Sequence, residues 1–142
     1  MKYSVKLSDA VHILSFIHFS TQERITSKDI ACSLKTNSSY IRQLMSTLKN
    51  AGIIINYQGK ADPQLVKPPE NISLLDVYNA VEGNKPLLHL DADINPNCGI
   101  GVNIGYVLKD TYCEIQDSIN KKMHSISLKS IFDNYQNRIN NL

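Results

Sequence analysis

The chain has 142 residues, of which 42% are hydrophobic and 20% are charged. This composition is typical of one globular domain, or of a small domain with a helical extension, and it excludes a disordered chain. Three widely spaced cysteines do not resemble a secreted disulfide framework, and the apolar run over residues 10–19 is too short to cross a bilayer. We therefore expect a cytoplasmic protein that does not enter a membrane.

Charge is distributed unevenly along the chain. Residues 1–69 contain nine Lys and Arg against four Asp and Glu, whereas residues 70–142 contain six against nine. No acidic residue occurs between Asp29 and Asp62. Such an interval favours a surface that faces phosphate groups, and a similar bias also occurs in proteins that bind no nucleic acid.

The first predicted helix covers residues 7–20. Val11, Leu14 and Ile17 recur at helical spacing, and Phe19 follows them. One side of this helix can therefore be buried. We expect it to brace the elements that come next.

Two short amphipathic helices joined by a tight turn are predicted over residues 26–53. Their apolar residues recur three or four positions apart and are Ile30, Ala31, Leu34, Ile41, Leu44, Met45 and Leu48. Thr26 and Asp29 resemble a capping box, Asn37 caps the second helix, and Gly52 ends it. This is the layout of a helix-turn-helix that reads DNA.

The polar side chains of this pair are candidate DNA contacts, because the first turn of the second helix normally enters the major groove. The candidates are Ser27, Lys28, Asn37, Ser38, Ser39, Tyr40, Arg42, Gln43 and Lys49. We place the members from the second helix on its outer face. An ordinary helical hairpin with a solvated polar face has the same pattern.

A β-hairpin is predicted after the second helix. This prediction rests on three consecutive segments: the β-branched run at residues 53–57, a loop with Gly, Asp and Pro, and the apolar pair at residues 65–66. Three helices followed by a hairpin make a winged helix, so the expected fold is mainly α with a small hairpin. Lys60 and Gln64 would then lie near the backbone of a bound duplex, and the alternative is a plain edge hairpin.

The first unit ends at Pro68 and Pro69. Ser73 caps a further helix that stops near Gly83, and a polar loop with prolines follows. We therefore divide the chain into a DNA-binding domain with its linking helix at residues 1–83, a sensor loop at residues 84–98 and a helical dimerisation region at residues 99–142.

A long helix over about residues 101–124 has an apolar seam that needs a partner. The same helix of a second subunit is the natural partner. The predicted dimer interface consists of Ile104, Val107, Leu108, Ile115 and Ile119. Ser127 caps a last helix, and residues 137–142 are expected to fray.

The segment LVKPPENISLLDVYNAVEG at residues 65–83 is similar to the segment that follows the wing in the Rrf2 family of bacterial transcription regulators. The family pattern also appears in SDAVHIL at residues 8–14, in DIA at residues 29–31, in SSYIRQLMSTLKNAGI at residues 38–53 and in the long helix after Cys98. The resemblance implies a homodimeric winged-helix repressor or activator on double-stranded DNA, with a palindromic operator.

Two features depart from the family pattern. The family's wing usually contains Arg-Gly and Gly-Gly-Tyr, whereas residues 58–64 read QGKADPQ, so Lys60 or Gln64 would have to replace the arginine in the minor groove. Members with an iron–sulfur cluster carry three grouped cysteines before the long helix, whereas only Cys98 lies there. We expect no iron–sulfur cluster, no metal and no other cofactor, although His89 and Asp91 or Asp93 offer additional donors.

Two cysteines are candidates for redox sensing. Cys32 points away from the buried stripe of its helix, and Cys98 begins the long helix. We hypothesise that Cys98 of one subunit approaches Cys32 of the other, so that oxidation shifts the reading helices. The alternative is three incidental thiols, with Cys113 packed in the long helix.

No catalytic residue is predicted, because the chain has no phosphate loop, no Ser-His-Asp order and no paired carboxylates. We expect a homodimeric transcription regulator, most simply a repressor, and not an enzyme. The alternatives are a winged-helix module that binds protein partners and a regulator that senses a small metabolite of unknown identity through the loop before the long helix.

Overall fold

The computed structural model describes residues 4–57 and 59–142, and within them it contains six α-helices and one two-stranded hairpin. The helices are α1 (Lys6–Phe19), α2 (Ser27–Leu34), α3 (Ser38–Asn50), α4 (Leu74–Glu82), α5 (Gly99–His124) and α6 (Leu128–Asn140). The strands are β1 (Ile54–Ile55) and β2 (Gln64–Leu65), and a short 3-10 turn, Pro69–Asn71, precedes α4. The predicted fold, mainly α with a small hairpin, is confirmed.

Side-chain caps fix where the helices begin. Thr26 Oγ1 accepts a hydrogen bond from Asp29 N at 3.2 Å, and Thr26 N donates to Asp29 Oδ2 at 2.8 Å. Ser73 and Asp76 form the same reciprocal box at α4, and Asn37 caps α3. These caps satisfy amides that a helix start leaves unpaired, and the predicted caps at Thr26, Ser73 and Asn37 are confirmed.

The core lies between α1 and the helix-turn-helix, with contributions from α4 and α6. Its most completely buried members include Ile13, Leu14, Ile30, Ile41, Leu48, Val77 and Leu128. The long helix α5 contributes only Met123 to the buried residues of the described chain. Most of α5 therefore lies outside the buried core.

The segments before α4 and α6 pair with each other through a short antiparallel bridge between Ser73 and Ser127. Both serines also cap a helix, so the bridge brings α6 back to the core around α1. The helix then continues to Asn140, where we expected fraying from residue 137. No Gly or Pro interrupts it, and Gln136 Nε2 donates to Asn140 Oδ1 at 3.4 Å across its last turn.

The wing is a short antiparallel pair in which Ile54 faces Leu65. Its strands are shorter than the predicted β-branched run, and Gly59 takes a left-handed φ of +82° in the turn. Ile25 N donates to Ala61 O at 2.7 Å, which ties the wing to the segment before α2. The wing therefore has a fixed position beside the helix pair.

No helix in the described part of the chain combines the length and the hydropathy that a membrane crossing needs.

Candidate nucleic-acid interface

The exposed face of α3 begins with a small hydrogen-bonded cluster. Arg42 Nη1 donates to Ser38 Oγ at 3.3 Å, and Arg42 Nη2 donates to Ser39 Oγ at 3.1 Å. The guanidinium group thus lies along the first turn of α3, and it retains further N–H groups for an outside acceptor. Gln43, beside it, is exposed. This turn presents the donors and acceptors that base edges and phosphates require.

Tyr40 does not lie on the outer face of α3, so the predicted placement is wrong. Tyr40 stands four residues before the buried Leu44, and positions four apart share one side of a helix. Its hydroxyl donates to Asp9 Oδ2 at 2.7 Å, and its ring packs against the core. Burial, helped by the hydrogen bond to Asp9, raises the pKa of Tyr40 to about 12. Tyr40 therefore joins α3 to α1.

Several other predicted contact residues already have partners within the chain. The Asn37 side chain accepts from Tyr40 N at 2.8 Å, and Lys49 Nζ donates to Asn56 O at 3.5 Å. Lys49 thus connects the end of α3 to the base of the wing. Lys28 is exposed on α2, whereas Ser27 is half-buried at the start of that helix.

Three cations converge on a cleft between α2, α3 and the wing. The cleft has a volume of about 490 Å³, and Arg24, Arg42 and Lys60 all line it. None of the described residues that line it is acidic. The start of α2 at Ser27 also borders the cleft. The cleft is suited to a phosphate group.

Asn56 also lines this cleft. Its Oδ1 is buried and has no hydrogen-bond partner among the described residues.

Sequence reasoning missed two residues of this surface. Arg24 lies outside every predicted helix. It stands two positions before the helix cap at Thr26, so a search for basic residues close to helix starts would have found it. Tyr57, on the wing, is 65% exposed.

The two predicted contact residues of the wing, Lys60 and Gln64, differ in their surroundings. Lys60 is exposed at the turn, whereas Gln64 is exposed but donates through Nε2 to Asp62 Oδ2 at 3.1 Å. Gln58 lies outside the described residues. The wing therefore presents Lys60 more freely than Gln64.

The α5 helix presents an apolar stripe to the outside. Ile104, Val107 and Ile115 are 48%, 58% and 39% exposed, and Leu108 and Ile119 are half-buried. At about 100° per residue, the three exposed side chains lie within roughly 80° of one another. These three side chains therefore form an exposed apolar stripe along one face of α5.

The three cysteines are free and exposed, and they lie on different elements. Cys98 caps α5, where its Sγ accepts from Gly101 N at 3.4 Å. Cys32 lies on α2, as expected on its outer side, and Cys113 is exposed in the middle of α5 rather than packed.

A helix-turn-helix with a wing beside it, and three cations between them, define a winged-helix transcription regulator that binds DNA. The Rrf2 family, described as iron-dependent transcriptional regulators, matches residues 3–134. The chain belongs to this family. It is therefore a regulator and not an enzyme, as the sequence predicted.

Related proteins agree with this assignment. YwnA of Bacillus subtilis (strain 168), provisionally named an HTH-type transcriptional regulator, is 36% identical over 128 residues, which are 90% of this chain and 95% of YwnA. A crystal structure provisionally described as a DNA-binding protein is 36% identical, with a TM-score of 0.72, and the match covers 89% of this chain and 97% of that one. CymR, the global cysteine regulator of B. subtilis, shares the fold at 21% identity and a TM-score of 0.66, over 94% of this chain and 97% of CymR.

The residues present do not fit the iron that the family description implies. Within residues 4–57 and 59–142, no three His, Cys, Asp or Glu side chains lie together as a metal site would require. The loop before α5 supplies a single thiol, Cys98, and that sulfur already accepts a hydrogen bond from the first turn of α5. A thiolate-held iron cluster needs more cysteines at one place than this chain provides.

Proposed function

We propose that this protein is a homodimeric repressor that binds a palindromic operator in the cytoplasm and works without an iron–sulfur cluster. In the proposed complex, the first turn of α3 enters the major groove, where Arg42 and Gln43 meet base edges. The wing and Arg24 lie against the sugar–phosphate backbone on either side. The cleft lined by Arg24, Arg42 and Lys60 is the observation that carries this proposal.

The charge of the cleft supports binding of a phosphate group. Three cations around one opening, without an acidic neighbour in its described lining, attract an anion more strongly than the same cations spread over the surface. Each cation that neutralises a phosphate releases a counterion from the duplex. Affinity therefore depends on salt.

The exposed stripe of α5 supports the homodimer. Ile104, Val107 and Ile115 face outward on a helix of 26 residues, and the same stripe on a second copy would cover them. A two-fold dimer places two α3 helices in successive major grooves, so its operator is a palindrome with half-sites about 10 base pairs apart. Blocking of a promoter by such a dimer is repression.

The proposal includes a thiol response through Cys32 and Cys98. Both sulfurs are exposed, and Cys32 lies on the helix that packs against α3. An azo oxidant such as diamide would take two electrons and two protons from the Cys32 and Cys98 thiols, which leaves a disulfide between subunits and a hydrazine. The bond would hold α2, and with it α3, at a changed spacing.

Selection from a pool of randomised duplexes tests the DNA-binding part. The full-length protein is expected to enrich an inverted repeat. Enrichment of a single half-site would contradict the dimer, and absence of any enrichment would contradict operator binding. Repression itself is tested by placing the selected operator in a reporter promoter, where expression is expected to fall when the protein is present.

Treatment with diamide tests the thiol part. Mass spectrometry of the oxidised protein is expected to find the peptides of Cys32 and Cys98 joined, with weaker operator binding. Cys32→Ser and Cys98→Ser should abolish both effects, whereas Cys113→Ser, the matched control, should retain them. Operator binding that diamide leaves unchanged would rule the response out.

A further inference from the structure

The loop between α4 and α5 is fastened to the helices at both ends. Leu87 N donates to Gln116 Oε1 at 2.9 Å, and the Tyr78 hydroxyl donates to Lys85 O at 2.9 Å. At its other end, Ile94 sits directly on Gly101, where a Cβ would come within 2.9 Å of Ile94 Cγ2. The loop therefore has a defined path over α5.

Between these attachments, a cavity of about 350 Å³ that is open to solvent lies between the loop and α5. Leu88 and Leu90 line it from the loop, and Tyr112 and Cys113 line it from α5. The volume lies within the range of roughly 300–1,000 Å³ that small-molecule sites occupy. The mainly apolar lining favours a ligand with an aromatic or branched aliphatic body.

Polar groups at the cavity determine the charge of such a ligand. Lys109 and His89 are two side chains that can donate hydrogen bonds, against the single carboxylate of Asp117. Lys109 and Asp117 are about 12 Å apart along the α5 axis, so a carboxylate beside Lys109 would be well separated from Asp117. Neither side chain has an ion-pair partner among the described residues.

We propose that this cavity binds a small aromatic or branched aliphatic monocarboxylate. The carboxylate pairs with Lys109, and the apolar body lies against Leu88, Leu90 and Tyr112. The charge-assisted contact with Lys109 selects the acid over its neutral amide, and the apolar contacts hold the loop against α5.

Lys109 and the apolar stripe occupy different faces of α5. At about 100° per residue, Lys109 lies roughly 120–140° around the helix from Ile104 and Ile115, whereas Tyr112 lies roughly 60–80° from them. A dimer formed through the stripe would leave the Lys109 side of the cavity open. Any effect of the ligand on operator binding rests on the proposed function, whereas occupancy of the cavity does not.

Cys113 provides a direct reporter of occupancy, and Cys32 and Cys98 are controls within the same chain. The experiment follows alkylation of all three thiols by iodoacetamide with mass spectrometry on the full-length protein. Phenylacetate is the probe, 4-methylpentanoate the aliphatic equivalent, and 2-phenylacetamide and phenethylamine the neutral and cationic controls. We expect both acids to slow alkylation of Cys113 about 10-fold at saturation, without a change at Cys32 or Cys98.

Two matched variants test the role of Lys109. Lys109→Met should weaken the protection by phenylacetate about 10-fold, whereas Lys121→Met, an exposed α5 lysine outside the cavity, should behave as the wild type. Three results would overturn the proposal: alkylation of Cys113 that neither acid slows, protection by phenylacetate that is equal in Lys109→Met and the wild type, or better protection by phenethylamine than by phenylacetate. Because the measurement contains no DNA, its failure is distinct from failure of operator binding.

Discussion

The hydroxyl of Tyr40 donates a 2.7 Å hydrogen bond to Asp9, and this bond joins the first turn of the reading helix α3 to the brace helix α1. Tyr40 lies in the turn of α3 that the proposed complex places in the major groove, on the side that faces the core. Its contact with Asp9 therefore sets the angle at which Arg42 and Gln43 are presented. The stability of this contact is open to direct measurement.

We expect Tyr40→Phe to lower the free energy of unfolding by about 1 kcal/mol, because it removes one hydrogen bond to a carboxylate and keeps the ring. Urea denaturation measures this. Asp9→Asn is the matched change at the other end of the bond, and the double variant should cost less than the two single changes together. Strictly additive losses would show that the two side chains do not interact.

The same bond predicts a pH dependence at the alkaline end. The pKa of Tyr40 is raised from 10.0 to about 12 by burial and the hydrogen bond to Asp9, so the folded state favours the protonated phenol. This contribution is fully present below about pH 10 and is lost as the pH rises through about 12. The difference in free energy of unfolding between wild type and Tyr40→Phe should therefore shrink only above pH 10. A difference that stays constant up to pH 12 would contradict this prediction.

The capping box of α2 predicts an acid-dependent loss of stability. Thr26→Ala should lower the free energy of unfolding by about 1 kcal/mol, as removal of an N-cap usually does.

The hydrogen bonds from Thr26 lower the pKa of Asp29. The contribution of the Asp29 carboxylate to stability is therefore present above the usual pKa of an Asp side chain, about 3.9, and is lost as the pH falls further. Thermal unfolding of Asp29→Ala beside wild type checks this: the two should differ at neutral pH and converge in acid, and a gap that persists in acid would contradict it.

Arg24 and Arg42 should differ in what they contribute to operator binding. Arg42→Gln should alter which duplexes are enriched, because a base contact contributes about 1–3 kcal/mol of discrimination. Arg24→Gln should weaken all duplexes about equally, as expected for a phosphate contact. Fluorescence anisotropy on the selected duplex and two single-base variants separates these outcomes, with Lys129→Gln, on α6 and paired with Asp133, as the control. An unchanged preference in Arg42→Gln would remove Arg42 from base reading.

The stripe on α5 predicts which substitutions break the dimer. Ile104→Asp and Ile115→Asp place a charge in the proposed interface and should give monomers in sedimentation velocity. Tyr106→Asp is the control, because Tyr106 is 68% exposed and lies roughly opposite the stripe at about 100° per residue. A wild-type monomer, or dissociation caused equally by Tyr106→Asp, would show that the stripe is not the interface.

Local features of this chain were predictable, and contacts between distant segments were not. Asn37 and Thr26 cap helices through residues three positions away, so the sequence pattern contains the whole interaction. The partner of Tyr40 is 31 positions away, and helical spacing alone does not reveal it. Arg24 was missed for the same reason, because its cleft forms only when the wing folds back beside α2.

Salt dependence of operator binding tests the central claim most directly, namely that Arg24 and Lys60 of the cleft neutralise phosphate groups of the operator. The measurement is the affinity of the full-length protein for its selected duplex over a range of salt concentrations. The logarithm of the binding constant should fall linearly with the logarithm of salt, and Arg24→Gln and Lys60→Gln should each reduce the slope by about 0.9 for every phosphate group that the variant no longer neutralises. A slope near zero in the wild type, or a slope that both substitutions leave unchanged, would contradict the account.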